Sequence, residues 1–163
     1  RTRRYILKYT DSYDDRQSVP DMADEAMQQY LKDAGLVEFK DWLKIGTDPK
    51  ENKLDLFWYV TNVLLIPDYA VVKDNFIYLV EVKGTNKIKY SDFKKLQEMH
   101  YRARRYKPVK VGIMFFKNKT AEPIWVSYEK LYEIWDDPRT EEGYYPEKDV
   151  DGKPKLYKVL PFV

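Results

Sequence analysis

Residues 64–84 read LLIPDYAVVKDNFIYLVEVKG. Apolar and β-branched residues flank Asp74-Asn75, a pair suited to the positive φ angles of a two-residue hairpin loop, so the stretch predicts two strands joined by a tight turn. With those two residues as the whole loop, Lys73 pairs with Phe76, and the same register sets Asp68 opposite Glu81. Side chains alternate along a strand, so Glu81 and Lys83 share the face of Asp68 while Val82 points the other way. Ile66, Ala70, Val72, Ile77 and Leu79 occupy that face before it turns charged. Opposed carboxylates destabilise a strand pair, and burying two of them with an ammonium is expensive unless their charge is compensated. A divalent cation would compensate it. The structural alternative is that Lys83 neutralises Glu81 while Asp68 caps a surface turn.

Outward from the hairpin, Ser18 with Pro20 and Asp21 predicts a helix start, and Gly35 its stop, giving a helix over 19–34. Its apolar stripe is Met22, Ala23, Ala26, Met27, Tyr30, Leu31 and Ala34, with Asp24 at the flank and Glu25 nearly opposite. One or two strands follow, at 37–45 and 54–60, where Phe57, Trp58 and Tyr59 read as core or as the surface of a homodimer. Beyond the hairpin, 85–90 reads as a polar, lysine-bearing loop, and Ser91 as the cap of a helix running to 106. Phe93, Leu96, Met99, His100, Ala103 and Tyr106 form its inward arc, so the single histidine is expected in the core. Lys94, Gln97, Tyr101 and Arg104 line one flank, and Lys95, Glu98, Arg102 and Arg105 the outer face. VKVGIMFF at 109–116 predicts a buried strand. Ile124-Trp125-Val126 predicts another, with Ser127 opening a helix through Trp135. The tail reads as a closing hairpin around Asp151-Gly152.

A chain of 163 residues, 44% hydrophobic and 34% charged, fits one globular domain over its whole length. It has no apolar run long enough for a membrane helix and no signal-peptide pattern at its start. The absence of Cys excludes disulfides, thiolate metal sites and iron–sulfur ligation. It also fits a reducing cytosol, so a cytoplasmic location is expected. A net charge of +2 says little about partners, whereas its distribution says more. Ten Lys and Arg lie between 83 and 110 against only Asp92 and Glu98, which points to a polyanion beside the carboxylates.

Pro67-Asp68 followed by Glu81-Val82-Lys83 resembles the signature of the PD-(D/E)xK nuclease superfamily. The predicted order α-β-β-β-α-β over 18–116 is similar to its core, with 120–163 as a C-terminal extension. The resemblance implies an α/β, restriction-endonuclease-like fold: a mixed central sheet flanked by helices. It implies that Asp68, Glu81 and the Val82 carbonyl hold Mg²⁺, with Mn²⁺ able to substitute, and that Lys83 assists the attacking water. Archaeal Holliday junction resolvases look similar in the gap between Asp68 and Glu81, in the EVK tripeptide, and in an acidic residue on the first helix. That acid falls here on Asp24 or Glu25. Gln97 and Tyr101 form a Q-x-x-x-Y pattern like that of RecB-type nucleases. With Lys87, Lys89, Lys94 and Arg104 they are the expected nucleic-acid contacts. The expected function is Mg²⁺-dependent hydrolysis of DNA phosphodiester bonds by an endonuclease on duplex or branched DNA, in repair or recombination. The alternatives are a non-catalytic DNA-binding module on the same fold and an RNA endonuclease of the same superfamily.

Overall fold

A computed structural model describes residues 13–46, 65–106, 108–148 and 152–161. Helix α1 (Tyr13–Asp33) buries Ala23, Ala26, Met27 and Leu31, with Met22 and Tyr30 packed at their edge and Ala34 exposed. It starts five residues ahead of Ser18, so Ser18 is no cap and Pro20 lies inside the helix. A proline there removes a backbone donor and crowds the preceding turn. The downstream buried stripe offsets that cost, because packing of one face stabilises protein helices more than local propensity does. The stop falls where predicted. Gly35 takes φ 76°, its N–H donates to the Lys32 carbonyl (2.9 Å), and Leu36 N–H donates to Leu31 (3.0 Å), the crossed pair of a Schellman cap.

Strand β1 (Trp42–Lys44) is much shorter than the 37–45 expected. The preceding residues are spent on a turn, in which Asp41 Oδ2 accepts the Val37 N–H at 2.8 Å and Phe39 takes φ 65°. The strand predicted at 54–60, with Phe57, Trp58 and Tyr59, lies outside the described residues. The hairpin itself forms as its turn chemistry dictates. Strands β2 (Tyr69–Lys73) and β3 (Phe76–Lys83) meet with Lys73 opposite Phe76, across Asp74 (φ 51°) and Asn75 (φ 67°). Asn75→Val is expected to cost about 1–2 kcal/mol in a urea melt, because a β-branched residue resists the left-handed region, while Asn75→Gly is tolerated. Equal stability of the Val and Gly variants would refute that account of the turn.

The first strand of the hairpin begins at Tyr69 rather than at 64. A ladder continued past Tyr69↔Val80 would set residue 67 opposite Val82, and Pro67 has no N–H to give. Leu65 takes φ 54°, and the Asp68 carbonyl turns to Ile45 and Gly46 instead, accepting their N–H groups at 2.8 and 3.1 Å.

Residues 85–90 are not wholly loop. They include strand β4 (Lys87–Lys89), which leads directly into helix α2 (Tyr90–Ala103). Lys89 is therefore the N-cap residue and Ser91 lies in the first turn. Strand β5 (Val109–Phe115) runs parallel to β3, and β6 (Ile124–Ser127) antiparallel to β5. Helix α3 (Tyr128–Trp135) opens on Ser127, whose Oγ accepts the Lys130 N–H at 3.2 Å. Strands β7 (Glu141–Lys148) and β8 (Pro154–Val159) form the closing hairpin, and β8 also pairs with β4.

The result is an α/β architecture with a mixed five-stranded sheet in the order β1-β2-β3-β5-β6 and a small second sheet β4-β8-β7. Helix α1 covers one face of the large sheet over Tyr69, Val71, Val80 and Phe116. Helices α2 and α3 cover the other over Val111, Ile113, Phe115 and Val126, and Leu160 beyond β8 is buried among them. No helix among the described residues is long and apolar enough to cross a membrane.

Candidate functional site

Strand alternation decides what the end of β3 offers. Val80 faces α1, so Glu81 faces α2, level with Ile113 of β5. Glu81 is 7% exposed and is the only buried charged residue among those described. The register Tyr69↔Val80 brings Asp68 to the same end and face, as the sequence predicts. Asp68 Oδ2 accepts the Val82 N–H at 2.8 Å, taking the donor that the missing ladder position leaves over. Gly46 closes against it, and a Cβ at residue 46 would stand 3.0 Å from Asp68 Oδ1, so a side chain there would crowd the carboxylate.

Two ion pairs with α2 complete the cluster. Lys95 Nζ donates to Glu81 Oε1 at 2.7 Å, and Lys83 Nζ donates to Asp92 Oδ2 at 2.7 Å. Burial and then the Asp68 charge push the Glu81 carboxyl up to about 8, with Lys95 and Lys83 pulling the other way. For Lys83, burial favours the neutral amine, but Asp92 and Glu81 outweigh it and raise its pKa above the ordinary lysine value. Asp92 is held below the usual carboxylate range: burial would raise it, and Lys83 prevails.

Asp92, Lys95 and Gly46 are the members that sequence reasoning missed. Lys95 was expected on the outer face of its helix and instead reaches the site with only 12% of its side chain exposed. Its spacing of three from Asp92 places both on one helix flank, which is the signal that could have found them.

The acidic residues of α1 do not join this cluster. Asp24 accepts from Lys44 Nζ (2.8 Å), from Gln28 (3.4 Å) and from the Tyr69 hydroxyl, on the α1 face of the sheet. Burial and that hydrogen bond push the Tyr69 phenol well up. Glu25 is exposed and pairs with Lys119. Among the described residues no three His, Cys, Asp or Glu side chains are grouped to hold an ion.

The expected nucleic-acid contacts separate into two places. Lys87 and Lys89 lie on β4, with the Lys87 ammonium 3.8 Å from the centre of the Tyr157 ring and 4.6 Å from that of Tyr145. Burial, then Lys89, lowers the Lys87 pKa. Lys94, Gln97, Tyr101 and Arg104 occupy the flank of α2 on the side of α3, away from Lys95. Gln97 donates to the Tyr128 hydroxyl at 3.2 Å and accepts from Lys94 at 2.9 Å, and Arg104 lies 5.1 Å from the centre of the Tyr101 ring. His100 is half-buried rather than in the core, its ring 4.5 Å from Tyr128 and its Nδ1 3.6 Å from Glu129. Tyr106, beyond the end of α2, is exposed.

The donor chemistry at the end of β3 suits a small hard cation. Asp68 and Glu81 offer carboxylate oxygens, and the ladder position facing Val82, Pro67, has no N–H to give its carbonyl. Mg²⁺ is commonly held by one or two carboxylates, with water and substrate phosphate filling the remaining positions. Comparison of the chain with protein-family models, with curated proteins and with solved structures gives no match.

Proposed function

We propose that the chain is a metal-dependent nuclease of the PD-(D/E)xK kind that hydrolyses DNA, as an endonuclease on duplex or branched substrates. One observation carries the reading: a buried glutamate stands beside a second carboxylate at the end of a sheet, with two lysines as its nearest cations. The succession of α1, the large-sheet strands β1, β2 and β3, then α2 and the parallel strand β5, with β4 of the second sheet inserted before α2, supports a restriction-endonuclease-like core.

Asp68, Glu81 and the Val82 carbonyl are the groups that would hold Mg²⁺ or Mn²⁺. When bound, such an ion lowers the pKa of a coordinated water and neutralises charge on the scissile phosphate. Lys83, kept protonated chiefly by Asp92, serves as a fixed cation facing that charge rather than as a proton acceptor. Lys95 keeps Glu81 oriented, and the lack of a Cβ at Gly46 spares Asp68 Oδ1 a crowding contact.

A second reading, a non-catalytic DNA-binding module, is favoured by the pairing of Lys83 with Asp92 and of Lys95 with Glu81, which satisfies much of the buried charge internally. The two separate in a cleavage assay on single-stranded, duplex, flap and four-way-junction DNA and on RNA, with Mg²⁺ or with chelator. Cleavage is expected only with metal, and its rate should fall by at least about 10²-fold in Asp68→Asn. A folded parent that binds the panel and cleaves none of it would establish the second reading.

A further inference from the structure

Helix α2 presents two different flanks. Asp92 and Lys95 face the carboxylates, whereas Tyr90, Lys94, Gln97 and Tyr101 face outward on the side of α3, and Arg104 and Tyr106 continue that line past the end of the helix. We infer that this outer flank is a binding track for single-stranded nucleic acid.

Two hollows lie along it. One of about 270 Å³ is lined by Tyr90, Phe93, Lys94, Gln97, Tyr132 and Trp135, together with Asp136. The other, of about 470 Å³, is lined by Tyr101, Arg102, Arg104, Arg105 and Tyr106. From Tyr90 to Arg104 the helix rise gives about 21 Å, the length of about six nucleotides stacked at roughly 3.4 Å each.

The chemistry selects the occupant. Among the described residues none of Arg102, Arg104 and Arg105 is in an ion pair, although Glu98 lies one turn before Arg102. Asp136, the acid of the other hollow, is engaged by Lys158 at 3.1 Å. A helix dipole explains cations at a helix C-terminus. It does not explain Tyr101 and Tyr106 among the arginines, nor Tyr90 and Tyr132 beside Lys94, all 42–69% exposed. Exposed tyrosines interleaved with guanidinium and ammonium groups suit unpaired bases and their phosphates, because a base within a duplex has no free face to stack. The N-terminal end of the track adjoins the carboxylates, since the first turn of α2 carries Asp92 to Lys83. Resting on the nuclease reading, this narrows the substrate to DNA that has a single-stranded arm beside the scissile bond.

Fluorescence anisotropy in chelator tests the track without cleavage, using a labelled oligothymidylate and a duplex of equal length. The parent should prefer the single strand, Tyr101→Ala should weaken it about tenfold, and Tyr101→Phe should keep parental affinity. Arg104→Ala should lower the slope of log affinity against log salt by about 0.7, which Tyr101→Ala leaves unchanged. Thermal melts confirm that these exposed substitutions leave the fold intact. Equal affinity for duplex and single strand in the parent, or parental affinity in both Tyr101→Ala and Arg104→Ala, would overturn the track. Single-strand binding lost in Tyr101→Ala, from a parent that cleaves nothing with Mg²⁺, would retain the track and remove the nuclease reading. Cleavage unaffected by loss of the ring would do the reverse.

Discussion

Glu81→Gln is expected to slow cleavage by about 10³-fold or more while leaving the protein folded. The amide keeps the shape of the side chain and can still be approached by Lys95, but it offers a cation no charge. The thermal cost at neutral pH should be small for a specific reason. Burial and Asp68 push the Glu81 carboxyl up to about 8 against the pull of Lys95, so metal-free protein at neutral pH tolerates a neutral side chain here, and the amide supplies one of the same shape. Single-turnover rates with saturating Mg²⁺, paired with urea melts in chelator, test both halves. A Gln variant cleaving within tenfold of the parent removes Glu81 from the chemistry. One that is folded only at high Mg²⁺ or not at all would make Glu81–Lys95 a structural pair, since breaking such a pair strands a charge.

The same carboxyl makes the stability of metal-free protein depend on pH with an unusual sign. Its folded value, about 8, lies above the unfolded 4.5, so between those limits the native state holds a proton that the unfolded chain has lost. Stability is therefore full below about 4.5 and declines as pH rises through the folded value, by up to about 1.4 kcal/mol per unit and on the order of a few kcal/mol in total. Mg²⁺ should flatten the decline and release up to about one proton per protein at pH 7, measurable by calorimetry in buffers of different ionisation enthalpy. Subtracting the Glu81→Gln profile from the parent's isolates the contribution of this carboxyl. A difference that is flat from pH 5 to 8 would mean that Lys95 already keeps Glu81 ionised.

Where the determinants are local, the fold and the site can be read from the chain. The Asp74-Asn75 turn fixes its register through its own backbone angles, and that register alone carries Asp68 and Glu81 to one end and one face. The Gly35 cap and the Ser127 cap are legible for the same reason. Strand β4 is not, because Lys-Ile-Lys has one apolar residue and is a strand only by virtue of β8, far along the chain. Lys95 escapes because a helical wheel finds the apolar arc but not the tilt at which the helix crosses the sheet, and the tilt decides which flanking residue reaches inward. Asp24 sits at the flank of its stripe as expected. Its partners, Lys44 and Tyr69, come from elements whose pairing no local pattern records.

The β4–β8 pairing also orders events in time. The segment joining Lys83 to the start of α2 is held by a strand made much later: Asn86 Nδ2 donates to the Leu160 carbonyl at 2.7 Å, and Leu160 N–H donates to the Asn86 carbonyl at 2.9 Å. During synthesis at about 5–20 residues per second, Lys89 precedes Leu160 by roughly 4–14 s. For that interval the hairpin with Asp68 and Glu81 can already be folded, while the segment that leads to Asp92 and Lys95 still lacks its anchor. On the ribosome, then, Asp68, Glu81 and Lys83 come first and the helix that brings Asp92 and Lys95 is anchored last, so a growing chain passes through a stage in which the hairpin half of the cluster waits for its clamp.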